Sequence, residues 1–149
     1  MDKKQEIQKA LTAAMKARDE DTKRTLRLVM SAIKLAEVEE GGAVDDSRIL
    51  SLLQKEVKTR EDAIEEAKQA NRKDLIETAK TEIAILNEFL PNQMSGNELK
   101  KLAQGVIAET GATSMRDMGK VMRQLIPQLE GRASGQEASK VVRELLQDQ

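Results

Sequence analysis

The chain has 149 residues, 39% hydrophobic and 34% charged, with 25 Lys and Arg against 26 Asp and Glu. That near-neutral balance excludes a strongly basic coat that covers nucleic acid from every side. The absence of cysteine and histidine excludes disulfides, Ser-His and Cys-His nucleophile pairs and ordinary zinc sites.

Phe89 is the only aromatic residue, so a core has to come from Leu, Ile, Val, Met and Ala. These residues suit helices, and the high charged fraction suits slim bundles with much exposed surface. The apolar spacing is helical almost throughout. Ile7, Leu11, Ala14 and Met15 share one face of a first helix. A second, over about 19–39, carries Leu26, Val29, Met30, Ile33 and Ala36. "EEGGAVDDS" interrupts it, and Asp46 or Ser47 is the expected cap of a third helix with Ile49, Leu50, Leu53, Val57, Ile64 and Ala67. The period falters at "QANRKD" without a clear stop. A fourth helix with Leu75, Ile76, Ala79, Ile83, Leu86, Phe89 and Leu90 ends at Pro91.

Beyond Pro91, Ser95 and Glu98 have the spacing of a capping box, in which each side chain accepts the other's backbone N–H. A fifth helix holds Leu99, Leu102, Val106 and Ile107 and stops at Gly111, a candidate left-handed cap. Ser114 opens a sixth with Met118, Val121, Met122, Leu125, Ile126 and Leu129. Ser134 and Glu137 form a second candidate capping box before a seventh with Ala138, Val141, Val142, Leu145 and Leu146. The expected fold is all-α: an N-terminal four-helix unit over 1–92 and a small C-terminal three-helix bundle over 93–149. No apolar run approaches the roughly 20 residues of a membrane span. The opening "MDKKQEIQKAL" has no signal-type apolar stretch. The expectation is a cytoplasmic protein with no membrane partner.

Chemistry-bearing patterns are few. Glu39-Glu40 and Asp45-Asp46 read as solvated loop and cap charges. Lys23, Arg24, Arg27, Lys58, Arg60, Lys68, Arg72 and Lys73 read mostly as solvated helix faces, with Glu56 and Arg60 placed for an i, i+4 pair. There is no phosphate-binding G-x-x-x-x-G-K-[ST] and no G-x-G-x-x-G. No metal and no cofactor are expected.

The stretch "MGKVMRQLIPQLEGRASGQEASKVV", from Met118 to Val142, is different. Arg116, Lys120 and Arg123 are spaced four and three apart and share a helix face. Pro127 removes a hydrogen bond to the carbonyl of Arg123 and crowds it, which predicts a kink. Arg132 stands in the turn between Gly131 and Gly135, whose glycines permit conformations other residues resist. The turn leads into a helix N-terminus, where free N–H groups favour an anion. Lys140 and Arg143 follow, three apart. Together these residues would make a phosphate-contacting corner. The plain alternative is a glycine turn whose cations balance Glu130, Glu137 and Glu144. Met115, Met118 and Met122 read as core filler.

"RKDLIETAKTEIAILNEFLPNQMSGNELKKL" and "DMGKVMRQLIPQLEGRASGQEASKVV" together resemble the YqeY family over essentially the whole chain. The junction "FLPNQMS" and the block of Met118, Gly119, Lys120 and Val121, then Pro127, then Gly131, Arg132 and Ala133, carry the resemblance. It implies an N-terminal four-helix-type domain and a C-terminal three-helix domain. That module is similar to the tail of the B subunit of tRNA-dependent amidotransferases, and to one appended to some bacterial glutaminyl-tRNA synthetases, where it helps hold tRNA and the chemistry lies elsewhere. The leading expectation is therefore a non-catalytic tRNA-binding accessory module, with Gly119, Lys120, Arg123, Gly131, Arg132, Lys140 and Arg143 at the RNA. With no aromatic platform, contact would be to the backbone rather than to splayed bases. An adaptor docking on a synthetase or an amidotransferase subunit is the alternative. A carbon–nitrogen ligase using glutamine as amide donor comes third, because the chain lacks the amidase signature and a nucleotide loop. Gly119 inside a helix costs about 1 kcal/mol relative to alanine; close helix packing and close approach by an RNA backbone are equal explanations.

Overall fold

The computed structural model describes residues 2–147. Among them are seven α-helices, one short 3-10 helix and no strand. The helices are α1 (Lys3–Ala17), α2 (Glu20–Glu40), α3 (Asp46–Gln69), α4 (Lys73–Asn87), α5 (Gly96–Thr110), α6 (Met118–Leu129) and α7 (Gly135–Gln147), with the 3-10 turn Met115–Asp117 before α6. The chain divides into two units, Met1–Pro91 and Asn92–Gln149.

In the first unit α1 packs on α2 and α3, α2 packs on α3 and α4, and α3 and α4 form a long hairpin. The core is Ile7, Leu11, Leu26, Val29, Met30, Ile33, Ile49, Leu53, Ile85, Leu86 and Phe89. These are mainly the residues that the 3.6-residue period places on one face. Helix starts follow the side-chain capping rule. Asp2 accepts the Gln5 N–H at 2.8 Å while Gln5 accepts the Asp2 N–H at 3.1 Å. Asp19 caps α2 through the Thr22 N–H and hydroxyl, and those two bonds hold its carboxyl below the ordinary value. The cap of α3 is Asp45, one residue before the expected Asp46 and two before Ser47: it accepts the Arg48 N–H at 2.8 Å. At "QANRKD" the helix does stop, with Asn71 left-handed at φ 55° between α3 and α4.

Arg60 is not on a solvated face. It is 8% exposed, with Nε 2.7 Å from Glu82 and Nη1 2.8 Å from Glu56. The i, i+4 pair forms, but the α3–α4 hairpin brings Glu82 over the same guanidinium. Burial works against the charge, and the bonds to Glu56 and Glu82 outweigh it and raise the Arg60 pKa. No local pattern announces a partner 22 residues away.

The second unit is a three-helix bundle: α5, α6 and α7 each pack on the other two. Its core is separate and includes Leu99, Val106, Ile107, Val121, Leu125, Leu129, Ala138, Val142 and Leu146. The Ser95–Glu98 capping box forms as expected. Gly111 takes the left-handed cap at φ 69°. α6 begins later than Ser114, because a 3-10 turn comes first. Asp117 accepts the Thr113 and Ser114 N–H groups there, and these bonds hold its carboxyl below the ordinary value.

Candidate nucleic-acid interface

One side of α6 is apolar and the other cationic. Val121, Leu125 and Leu129 are buried. At 100° per residue, Lys120, Arg123 and Pro127 fall on the opposite side, and all three are exposed. Between Met118 and Leu129 there is no carboxylate. α6 runs through Pro127 to Leu129, which places the hydrogen bond missing at the proline on the solvent side. Met118 and Met122 pack against the core, as core filler should; Met115 does not, at 40% exposure.

Gly119 is exposed beside Lys120, and a Cβ added there would meet nothing within 4 Å. Close packing by another helix therefore does not explain it.

On α7, Ala138, Val142 and Leu146 face the core, leaving Lys140 and Arg143 exposed. Glu137 and Glu144 lie three before and four after Lys140, so this face is mixed in charge. None of Lys120, Arg123, Lys140 and Arg143 forms an ion pair with Glu130, Glu137, Glu144 or any other described residue. Lys100 and Lys101 on α5 are two further exposed cations that the sequence reading did not single out.

The turn between α6 and α7 differs from the expectation. Glu130 and Gly131 are both left-handed, at φ 51° and 75°. Two such residues in succession reverse the chain, and glycine takes the second at no steric cost. Gly135 needs no such freedom; it opens α7, and Ser134 Oγ accepts the Glu137 N–H at 3.1 Å. That bond occupies one of the N–H groups expected to be free for an anion.

Arg132 is already engaged. Its Nε donates to the Asn92 carbonyl at 2.8 Å and its Nη2 to Glu98 at 3.0 Å. Its own carbonyl accepts the Met94 N–H at 2.7 Å, and the Gly131 carbonyl accepts from Gln93 Nε2 at 3.0 Å. The turn thus clamps the segment 92–94 that leads into α5. The Ser95 backbone N–H and the Arg132 guanidinium hold the Glu98 carboxyl below its ordinary value. Sequence reasoning had no signal for this clamp: its halves are about 40 residues apart, and backbone carbonyls carry no residue-specific mark.

The site residues thus fall into two sets. Gly119, Lys120, Arg123, Lys140 and Arg143 present free surface; Gly131 and Arg132 build the turn. Among the described residues no three acidic side chains gather as a metal-binding group, and no helix is long and apolar enough to cross a membrane.

Comparison with known proteins gives relatives in fungi. An uncharacterized protein of Schizosaccharomyces pombe is 36% identical over 89 residues, covering 60% of this chain and 72% of its own length. The protein "Altered inheritance of mitochondria protein 41, mitochondrial" of Lachancea thermotolerans is 36% identical over 85 residues, 56% of this chain and 46% of that protein. Its namesake in Pyrenophora tritici-repentis is 27% identical over 144 residues, 94% of this chain and 78% of that protein. The family model described as Yqey-like protein matches residues 4–146. With the match running from the first turn of α1 to the end of α7, the chain belongs to the YqeY-like family.

Proposed function

We propose that this chain is a non-catalytic module that holds tRNA by its backbone through the C-terminal unit. The observation that carries this reading is the outward face of α6, where Lys120 and Arg123 stand exposed beside Gly119 with no carboxylate between Met118 and Leu129 and no ion pair among the described residues, although Asp117, just before the helix, attracts Lys120. Phosphate attracts such unspent cations, and a glycine without a Cβ lets a sugar–phosphate backbone come close. Lys140 and Arg143 extend the contact from α7. Arg132 contributes by fixing the turn that joins the two helices.

Counting from the sequence, residues 92–149 hold eight Lys and Arg against seven Asp and Glu. Affinity should therefore be modest and come from a few local contacts. Neutralising four phosphates gives a log–log salt slope of about −3. The test is a salt series of binding to total tRNA by the whole chain. Lys120→Glu with Arg123→Glu should abolish binding at moderate salt, and Lys140→Glu with Arg143→Glu should flatten the slope by about 2. Unchanged affinity in the α6 variant would exclude this face. The purified chain should release no ammonia from glutamine; release would revive the amide-transfer reading.

A further inference from the structure

The outer face of α2 holds an apolar strip that the core does not use. Leu28, Leu35 and Val38 are 49, 60 and 79% exposed. Offsets of seven and ten residues put them on one side of the helix, over about 15 Å. The core side is occupied by Leu26, Val29, Met30 and Ile33. Next to the strip, α2 and α3 leave a groove of about 200 Å³, with Leu35 at its rim and Ala32, Ala36 and Leu52 lining it. Small residues in a groove wall let a rod-shaped partner approach closely.

The charges around this surface are unequal in their commitments. Glu20 and Asp21, at the start of α2, are paired with Lys23 and Arg24 at 3.0 Å each. Arg48 and Glu56, which line the groove, are paired with Glu40 and Arg60. Among the described residues, Arg27 and Lys34, seven apart along one edge of the strip, have no ion pair, and neither has Lys55, which lines the groove from α3. Glu39 is the one groove-lining carboxylate left without an ion pair among the described residues.

We propose that this face of α2 and the adjoining groove dock an acidic amphipathic helix of a partner protein. Apolar side chains at i, i+3 or i+4 and i+7 of that helix would cover Leu28, Leu35 and Val38. Carboxylates two turns apart would meet Arg27 and Lys34, and one on the other flank would meet Lys55. Charge complementarity selects this occupant. A second copy of the chain would bring the same uncommitted cations against their like. A flat bilayer, whatever its charge, leaves the concave groove between α2 and α3 unfilled. RNA finds branched aliphatic side chains here and no ring to stack on. The surface lies in the N-terminal unit and involves no RNA contact, so it is independent of the proposed function.

The test uses the whole chain and a fluorescent 18-residue helical peptide with leucines at that spacing and glutamates on both flanks. The same peptide with lysines for glutamates and a scrambled one are controls. The acidic peptide should bind, and the controls should bind at least tenfold more weakly. Leu35→Glu with Val38→Glu should remove binding. Arg27→Glu with Lys34→Glu should reverse the preference toward the lysine peptide. All four are exposed positions, and unchanged helical circular dichroism checks the fold. Equal binding of all three peptides overturns the proposal. So does retention of phosphatidylcholine–phosphatidylserine vesicles that is lost in Leu35→Glu with Val38→Glu, which would make the face a membrane contact. Loss of tRNA binding in Arg27→Glu with Lys34→Glu, without a change in peptide preference, would assign it to RNA.

Discussion

Arg132 and Arg60 are two arginines whose surroundings give them architectural work. Arg132 joins Asn92, Glu98 and the α6–α7 turn. Arg132→Ala should lower stability by about 1 kcal/mol, the scale of one net hydrogen bond, measured by urea unfolding. The pH dependence has a definite sign. The Glu98 carboxyl is lowered by the Ser95 N–H and then by Arg132, so its contribution is full above the ordinary value of 4.5 and is lost as pH falls through the lowered value. Melting curves from pH 7 to 3 should show the chain losing this stability as pH falls below 4.5 toward the lowered value. Glu98→Gln should start lower at pH 7 and fall less. Arg60 is the stronger case, because it is 8% exposed between two carboxylates. Arg60→Ala leaves the poorly solvated Glu82 with only the longer contact to Arg24, at 3.7 Å, and should cost about 3 kcal/mol. Lysine there should recover little, because a single ammonium does not reproduce a guanidinium that reaches both acids.

α6 shows how an element can carry a cost for a surface. It has a glycine at its second position and a proline two residues from its end, both poor in helix interiors. Neither is required by packing: Gly119 has open space where a Cβ would go, and Pro127 is exposed. Gly119→Ala should therefore stabilise the chain by about 1 kcal/mol. Under the proposed function the same substitution should weaken tRNA binding, because a methyl group would hold the backbone away from Lys120 and Arg123. A variant that gains stability and binds tRNA as before would remove Gly119 from the interface. The helix starts teach a related lesson. Ser95, Asp19 and Asp45 satisfy backbone N–H groups within three residues, and such local chemistry places a helix start to within a residue or so.

At the scale of the molecule, the two units have separate cores and separate charge. Residues 1–91 hold 17 Lys and Arg against 19 Asp and Glu, while the C-terminal unit is slightly positive. A chain of net charge −1 can thus offer a cationic face only locally. Binding to polyanions should then depend on the face altered and not on total charge. Lys4→Glu with Lys9→Glu in α1 removes as many cations as Lys120→Glu with Arg123→Glu, yet should leave tRNA affinity at 100 mM salt within about twofold of the parent, because the proposed contact uses neither lysine and salt weakens the pull of exposed charges that do not touch phosphate. Filter binding of both variants at one salt concentration checks this.

The helical class was legible because it rests on period. A residue's face depends on its near neighbours, and Ile7, Leu26, Ile33, Leu53, Val121 and Val142 are buried where a 3.6-residue repeat puts them. The Ser95–Glu98 box and the left-handed Gly111 were legible for the same reason: their partners lie within one turn. The family resemblance was legible too, because two blocks in a fixed order are specific. What only the tertiary structure decided involves residues far apart in sequence. Glu82 reaches Arg60 because two helices form a hairpin, and Asn92 meets Arg132 because a bundle closes. The strip on α2 stayed hidden because Leu28, Leu35 and Val38 have the same helical spacing as core residues. Period states that residues share a face, and only the packed neighbours decide whether that face is covered.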